Sequence, residues 1–263
     1  LDIDGGIYAW DTSGGVLTAS NIAAAITNAP TKTKFSLVSN PDRHLICFGT
    51  ETTIGTTSTQ DPMFIRWSDQ DDYTSWTATA TNTAGSQRIT DGSEIVTAVR
   101  TRGQILILSD TSAHGMSFIG APFTFGFQQL GSNCGAISPH CAVDVGGIVY
   151  WMSSDAFYRF DGTVRKIPCT VEDFVFDNIE TKQYAQVYAG SNSAFGEIWW
   201  LYCTTASNQN DRYVIYNYQE NLWYTGSIDR STWIDSGTYS LPYSTEYDGS
   251  ANTTVYVHES GTD

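Results

Sequence analysis

From residue 44 onward the chain carries a succession of short runs built from β-branched and aromatic residues. They lie at 44–48 (His-Leu-Ile-Cys-Phe), 64–67 (Phe-Ile-Arg-Trp), 95–99 (Ile-Val-Thr-Ala-Val), 104–108 (Gln-Ile-Leu-Ile-Leu), 148–152 (Ile-Val-Tyr-Trp-Met), 198–202 (Ile-Trp-Trp-Leu-Tyr), 213–218 (Tyr-Val-Ile-Tyr-Asn-Tyr) and 254–257 (Thr-Val-Tyr-Val). Each is four to six residues long and bounded by Gly, Asp, Asn or Ser, which is the signature of a strand between turns. Several are apolar at both alternate positions, so both faces of those strands must be covered.

The strongest runs begin at residues 44, 104, 148, 198 and 254, at steps of 60, 44, 50 and 56. Four antiparallel strands occupy about 40 to 50 residues, the size of one propeller blade. An aromatic strand tends to close each unit, as in Tyr158-Arg159-Phe160-Asp161-Gly162 and Trp223-Tyr224-Thr225-Gly226. The steps are too uneven for a WD or kelch repeat, so the periodicity is structural rather than textual. The expected fold is all-β, a β-propeller-like array of antiparallel blades, with a β-sandwich as the alternative.

Composition agrees with strands. Of 263 residues only 16% are charged, against roughly 25% in an average protein. Long amphipathic helices need Lys, Glu and Arg on their wet face, and here that supply is missing. An aromatic content of 13% and 23 glycines suit strands and turns. Two segments read as helical: residues 20–28, with Ser20 or Asn21 as cap and Pro30 just beyond, and part of 170–184, with Thr170 as cap and Glu172 and Asp173 in the first turn. No linker divides the chain, so a single β domain over 1–263 is expected, a fragment of a longer chain since both ends read as cuts.

The net charge is −15, from 13 basic and 28 acidic residues. Through Gly131 the balance is 7 basic against 12 acidic, and after it 6 against 16. A nucleic-acid grip needs a basic stripe to neutralise phosphates, and the densest basic clusters are the pairs Arg100, Arg102 and Arg165, Lys166. That excludes a conventional DNA-binding or anionic-membrane module but not an acidic surface lining a path for DNA. No stretch approaches the roughly 18 apolar residues of a membrane span, and no signal peptide is apparent.

The residues that carry chemistry do not converge. The five cysteines, Cys47, Cys134, Cys141, Cys169 and Cys203, are odd in number and set mostly among apolar neighbours, so they read as buried free thiols. Cys134, His140 and Cys141 lack the second ligand pair of a zinc site. None of the four histidines, His44, His114, His140 and His258, pairs with another at metal-binding spacing, and His258-Glu259 reads as the polar end of a strand. The loop Ser68-Asp69-Gln70-Asp71-Asp72 offers hard oxygens for calcium but lacks the Gly and closing Glu of an EF-hand, and a solvated turn is the favoured reading. Gly115, Gly120 and Gly126 are interleaved with Phe and Ile, a strand-turn-strand rather than a phosphate cradle. Most of the eight tryptophans are expected to pack between blades. No catalytic residue, cofactor site or metal site is assigned, and an enzyme is not expected.

Several segments, in order, resemble tailed-phage virion proteins of the tail-hub, nozzle and packaged-DNA-stabilisation kind. They are Asn-Pro-Asp-Arg-His at 40–44 leading to Gly49, Asp-Pro-Met-Phe-Ile-Arg-Trp-Ser-Asp-Gln at 61–70, Trp-Thr-Ala-Thr-Ala-Thr-Asn-Thr-Ala-Gly at 76–85 and Gly-Ala-Pro-Phe-Thr-Phe-Gly at 120–126. Phe-Tyr-Arg-Phe-Asp-Gly at 157–162, Ile-Pro-Cys at 167–169, Glu-Ile-Trp-Trp-Leu-Tyr at 197–202, Asp-Arg-Tyr-Val-Ile-Tyr-Asn-Tyr at 211–218 and His-Glu-Ser-Gly at 258–261 complete the set. The resemblance implies a propeller subunit of a homo-oligomeric ring, usually a hexamer, below the portal. Its implied partners are the portal or adaptor, other tail proteins, and passing DNA held without tight or sequence-specific binding. It implies residence in the virion tail after folding in the host cytoplasm, and no catalytic residues. Two polar loops, 51–61 and 204–211, are the expected ring contacts, the first of them exposed and mobile. The rival reading is a carbohydrate-binding or glycan-hydrolysing propeller, whose mark would be aromatic side chains and carboxylates grouped at one end of the blades.

Overall fold

The computed structural model describes residues 4–11, 22–40, 42–247 and 252–261. Its strands form antiparallel sheets in which sequence neighbours are spatial neighbours, the up-and-down meander of a propeller blade. The chain is all-β and propeller-like, and its residues divide into two compact units. The first comprises 1–95, 103–105 and 115–128, and the second 96–102, 106–114 and 129–263. Because the units interleave along the chain, no linker marks them in the sequence.

In the first unit β1 (Tyr8–Ala9) pairs with β2 (Ala24–Ala25). A four-stranded blade follows, with β3 (Phe35–Val38), β4 (Leu45–Phe48), β5 (Phe64–Trp67) and β6 (Gly85–Arg88) in that order. Ile46, Cys47, Phe48, Ile65 and Trp67 on its middle strands are buried, while Ser86, Gln87 and Arg88 on the outer strand are exposed. Gly85 lies against the Trp67 indole, so only a residue without a Cβ fits that register.

The helix expected over 20–28 is not formed. Ser20 and Asn21 lie outside the described residues, and from Ile22 onward the chain makes β2 and a turn, with Asn28 at φ +64°. Alanine favours a helix, but pairing wins: Ala24 opposes Ala9, Ala25 opposes Tyr8, and the Ile26 amide donates to the Ile7 carbonyl at 3.0 Å.

A second sheet has the order β10-β9-β8-β7, from β7 (Ile95–Arg100), β8 (Ile105–Ser109), β9 (Ser112–Gly120) and β10 (Thr124–Ser132). The hairpin expected around the three glycines is therefore present. Its residues 115–128 belong to the first unit, where Phe125 packs edge-on against Trp67 at 5.2 Å and His44 at 5.1 Å.

The second unit adds the blade β11 (Ala142–Val145), β12 (Ile148–Met152), β13 (Phe157–Phe160) and β14 (Val164–Ile167). Next comes β15 (Tyr188–Asn192), β16 (Glu197–Tyr202), β17 (Arg212–Asn217) and β18 (Leu222–Ser227). A three-stranded sheet closes the described chain, with β19 (Thr232–Ile234), β20 (Tyr243–Tyr247) and β21 (Thr253–Val257). The first strands of these three sheets lie side by side. His140, just before β11, makes a parallel bridge with Tyr188, and the Ala189 amide donates to the His140 carbonyl at 2.7 Å. From β19, the Trp233 indole donates to the Ser191 carbonyl on β15 at 2.7 Å.

Aromatic side chains fill the space between these blades. The Phe157 ring sits 4.8 Å from both Trp200 and Trp223, and Tyr216 lies 4.7 Å from Trp223. Trp200 donates its indole N–H to the Cys141 carbonyl and Trp223 to that of Pro168, each at 2.9 Å. Trp151 does the same toward Cys134 at 2.8 Å. Burying an indole without a partner for its N–H would cost part of what its area contributes, so each blade supplies a carbonyl to the next ring. This is the inter-blade role expected of the tryptophans.

The second expected helix is present but short, α1 (Glu172–Phe176), with Glu172 and Asp173 in its first turn. Its cap is Val171 rather than Thr170, and no side chain caps it. Val175 is buried and Phe176 reaches Phe157 at 5.3 Å, so tertiary packing holds the turn. No helix among the described residues is long and apolar enough to cross a membrane.

Candidate functional site

The acidic loop is a self-satisfied turn. Asp69 accepts from the Thr83 amide at 2.8 Å and its hydroxyl at 2.5 Å, and also from the Gln70 amide at 2.9 Å. The Thr83 hydroxyl, more than any other group, holds its carboxyl below the usual carboxylate range. Asp72 accepts from the Thr74 hydroxyl at 2.6 Å, which lowers its pKa in the same way. Asp71 instead pairs with Arg43. The three carboxylates thus serve three separate partners, and no cluster of ligands for a metal ion exists among the described residues.

Two Ser–His contacts, invisible in the spacing of the sequence, were formed by folding. Ser112 and His114 share a 2.8 Å hydrogen bond on one strand, and both are buried together with Ser109. The Ser244 hydroxyl lies 2.6 Å from Nε2 of His258, but the Arg230 guanidinium approaches the same nitrogen at 3.4 Å. Burial, and then that guanidinium, lower the His258 pKa. A general base is helped by a carboxylate that stabilises the imidazolium, so a cation at this position works against that role. Glu259 accepts from Asn192 at 3.1 Å, and Glu197 nearby is raised in pKa chiefly by burial.

None of the cysteines forms a disulfide, and Cys47, Cys134, Cys141 and Cys203 are buried. Burial pushes the Cys141 and Cys169 thiols up to about 11, and that of Cys47 up as well, which keeps them protonated. His140, beside Cys141, stacks on Tyr188 at 5.3 Å instead of facing a metal ligand.

The loop 51–61 is exposed along much of its length and 204–211 at Thr205, Ala206 and Asn208, and both are tied internally. In 51–61 the Thr52 amide donates to the Thr59 carbonyl at 3.0 Å, and a short helical turn spans Thr57–Thr59. Glu51 at its base is fully buried. In 204–211 the Asp211 carboxylate accepts from both the amide and the hydroxyl of Thr204 at 2.8 Å. Part of the hydrogen-bonding capacity of both loops is thus spent inside them.

A cleft of about 740 Å³ lies among the described residues of the first unit. Gly5 bridges Thr33 and Gly6 runs close to the Thr31 backbone, and both line it. Tyr8, Trp10 and Tyr73 line it and remain 62%, 47% and 52% exposed. At its edge Arg43 and Asp71 form a two-pronged ion pair, Nε to Oδ1 at 2.6 Å and Nη2 to Oδ2 at 2.9 Å. Both residues hold left-handed backbone, at φ +52° and +59°, and the Asp71 amide donates to the Arg43 carbonyl at 3.2 Å. Sequence reading missed this cleft, because its lining comes from three separate stretches, 5–10, 26–45 and 71–73.

No protein-family model matches the chain, and no curated protein does. Among solved structures it is similar to the AfRom2 CNH domain, with a TM-score of 0.44 and 8% identity over 98% of this chain and 90% of that one. It is also similar to the N-terminal domain of Nup159, with a TM-score of 0.34 and 9% identity over 86% of this chain and 74% of that one. These likenesses are remote, and the blade architecture stands on the strand pairing of this chain itself.

Proposed function

We propose that the chain is a structural subunit of a phage tail, part of a homo-oligomeric ring, six-membered as the resemblance implies, that forms or closes the DNA exit channel below the portal. One observation carries this reading: four of the nine segments that resemble tail-hub and nozzle proteins contain whole blade strands. Residues 61–70 contain β5, 157–162 contain β13, 197–202 are β16 and 211–218 contain β17. Much of the likeness therefore resides in scaffold, which favours a building role.

The charge supports it. The first unit has 5 basic against 11 acidic residues and the second 8 against 17, so both are acidic. Like charge along a duct lets phosphates pass without the counterion release that drives tight binding. Ring contacts fall to the exposed crowns of the two polar loops, Thr52, Thr53, Thr56 and Thr57 in one and Thr205 and Asn208 in the other.

Sedimentation of the purified chain with its tail partners tests the reading. A discrete closed oligomer is expected, and substitutions that introduce charge in either loop crown, such as Thr53→Glu or Thr205→Glu, are expected to dissociate it. A chain that stays monomeric at every concentration, with or without partners, would overturn the proposal.

A further inference from the structure

We propose that the cleft of the first unit binds a neutral carbohydrate, with Tyr8, Trp10 and Tyr73 as stacking surfaces and the Arg43–Asp71 pair as the hydrogen-bonding edge. This goes beyond the tail reading and does not depend on ring formation. Three large aromatic side chains left about half exposed at one concavity are unusual in a protein whose other tryptophans are mostly buried between strands. Flat apolar faces of this kind suit the C–H faces of pyranose rings, and the cleft volume falls within the range of ligand sites.

The charge of the lining selects the ligand class. Its one cation, Arg43, is already neutralised by Asp71, so no uncompensated positive charge is available to hold a phosphate or an acidic sugar. What remains is the guanidinium N–H groups turned away from Asp71 and the second lone pairs of its carboxylate, donors and acceptors side by side, the complement of neighbouring hydroxyl groups. An ion pair this exposed, 68% and 49% at its two side chains, adds little to stability. The two turns that carry Arg43 and Asp71, each with left-handed backbone, hold the pair at the cleft edge.

The test is titration of the full chain with short neutral oligosaccharides of glucose, galactose and N-acetylhexosamine, read by calorimetry and by tryptophan fluorescence. At least one series is expected to bind and to change the emission of Trp10. Trp10→Ala and Tyr73→Ala should each weaken binding about tenfold, the size of one lost stacking contact. Far-ultraviolet circular dichroism and the denaturant midpoint should stay unchanged in both variants. Tyr73→Ala also keeps the main-chain carbonyl that accepts the Trp76 indole at 2.7 Å. Absence of binding by every neutral series at millimolar concentration, affinity unchanged in both variants, or binding confined to proline-rich peptides or acidic glycans would overturn the inference.

Discussion

Glu51 is a carboxylate at zero exposure, and its oxygens accept from the Gly55 amide at 2.7 Å and from the Thr31 hydroxyl at 2.5 Å. Replacing it with alanine strands those donors in the interior, and Glu51→Ala is expected to cost about 2 kcal/mol in denaturant unfolding. Folding lowers the His258 pKa below its ordinary 6.5, so the unfolded chain binds the proton more readily. The stability His258 contributes is present above pH 6.5 and is lost as pH falls from there toward the folded value. Asp69 and Asp72 are also lowered in the fold, and their contribution is lost further down, below their ordinary 3.8. A melting profile against pH should therefore show two descents, and His258→Gln should remove the upper one. None of this was legible in the sequence. Glu51 read as part of an exposed loop, and the surroundings of His258 come from Arg230 and Ser244, distant in the chain.

At the scale of elements, blade stacking in the second unit depends on close passage of β19 over β15. A Cβ on Gly190 would fall inside contact distance of the Trp233 indole. Gly190→Ala is expected to destabilise by about 2 kcal/mol through overpacking, measured by urea unfolding. A variant as stable as the wild type would contradict the apposition. Most of the strands legible beforehand were second and third strands of four-stranded sheets, paired on both sides, although the outer strands β7 and β21 were legible as well from their β-branched residues. The runs at 44, 104, 148 and 198 are β4, β8, β12 and β16, all second strands. The run at 254 is β21, a third strand; the second strand of that sheet, β20, is polar (Tyr-Ser-Thr-Glu-Tyr) and escaped notice. Outer strands such as β6 (Gly-Ser-Gln-Arg) and β14 (Val-Arg-Lys-Ile) face water and carry no apolar pattern. The alanines near residue 24 misled because their helix preference is intrinsic, whereas their strand partner lies far off in sequence.

For the whole molecule, the reading turns on charge and assembly rather than on a reactive centre. With a net charge of −15 the chain is expected to show no retention on duplex DNA at physiological salt, and tight binding in a mobility-shift assay would contradict a passive duct. Composition made the absence of a basic grip visible at once, and the blade periodicity made the architecture visible. The cleft was not visible, because a site assembled from three stretches has no local signature. The most direct measurement is electron microscopy of the native assembly that contains this chain, averaged over any rotational symmetry. A closed ring of these subunits around an axial channel, joined to a portal or tail, is the predicted result. Particles holding the chain as a dispersed monomer with no channel would contradict it.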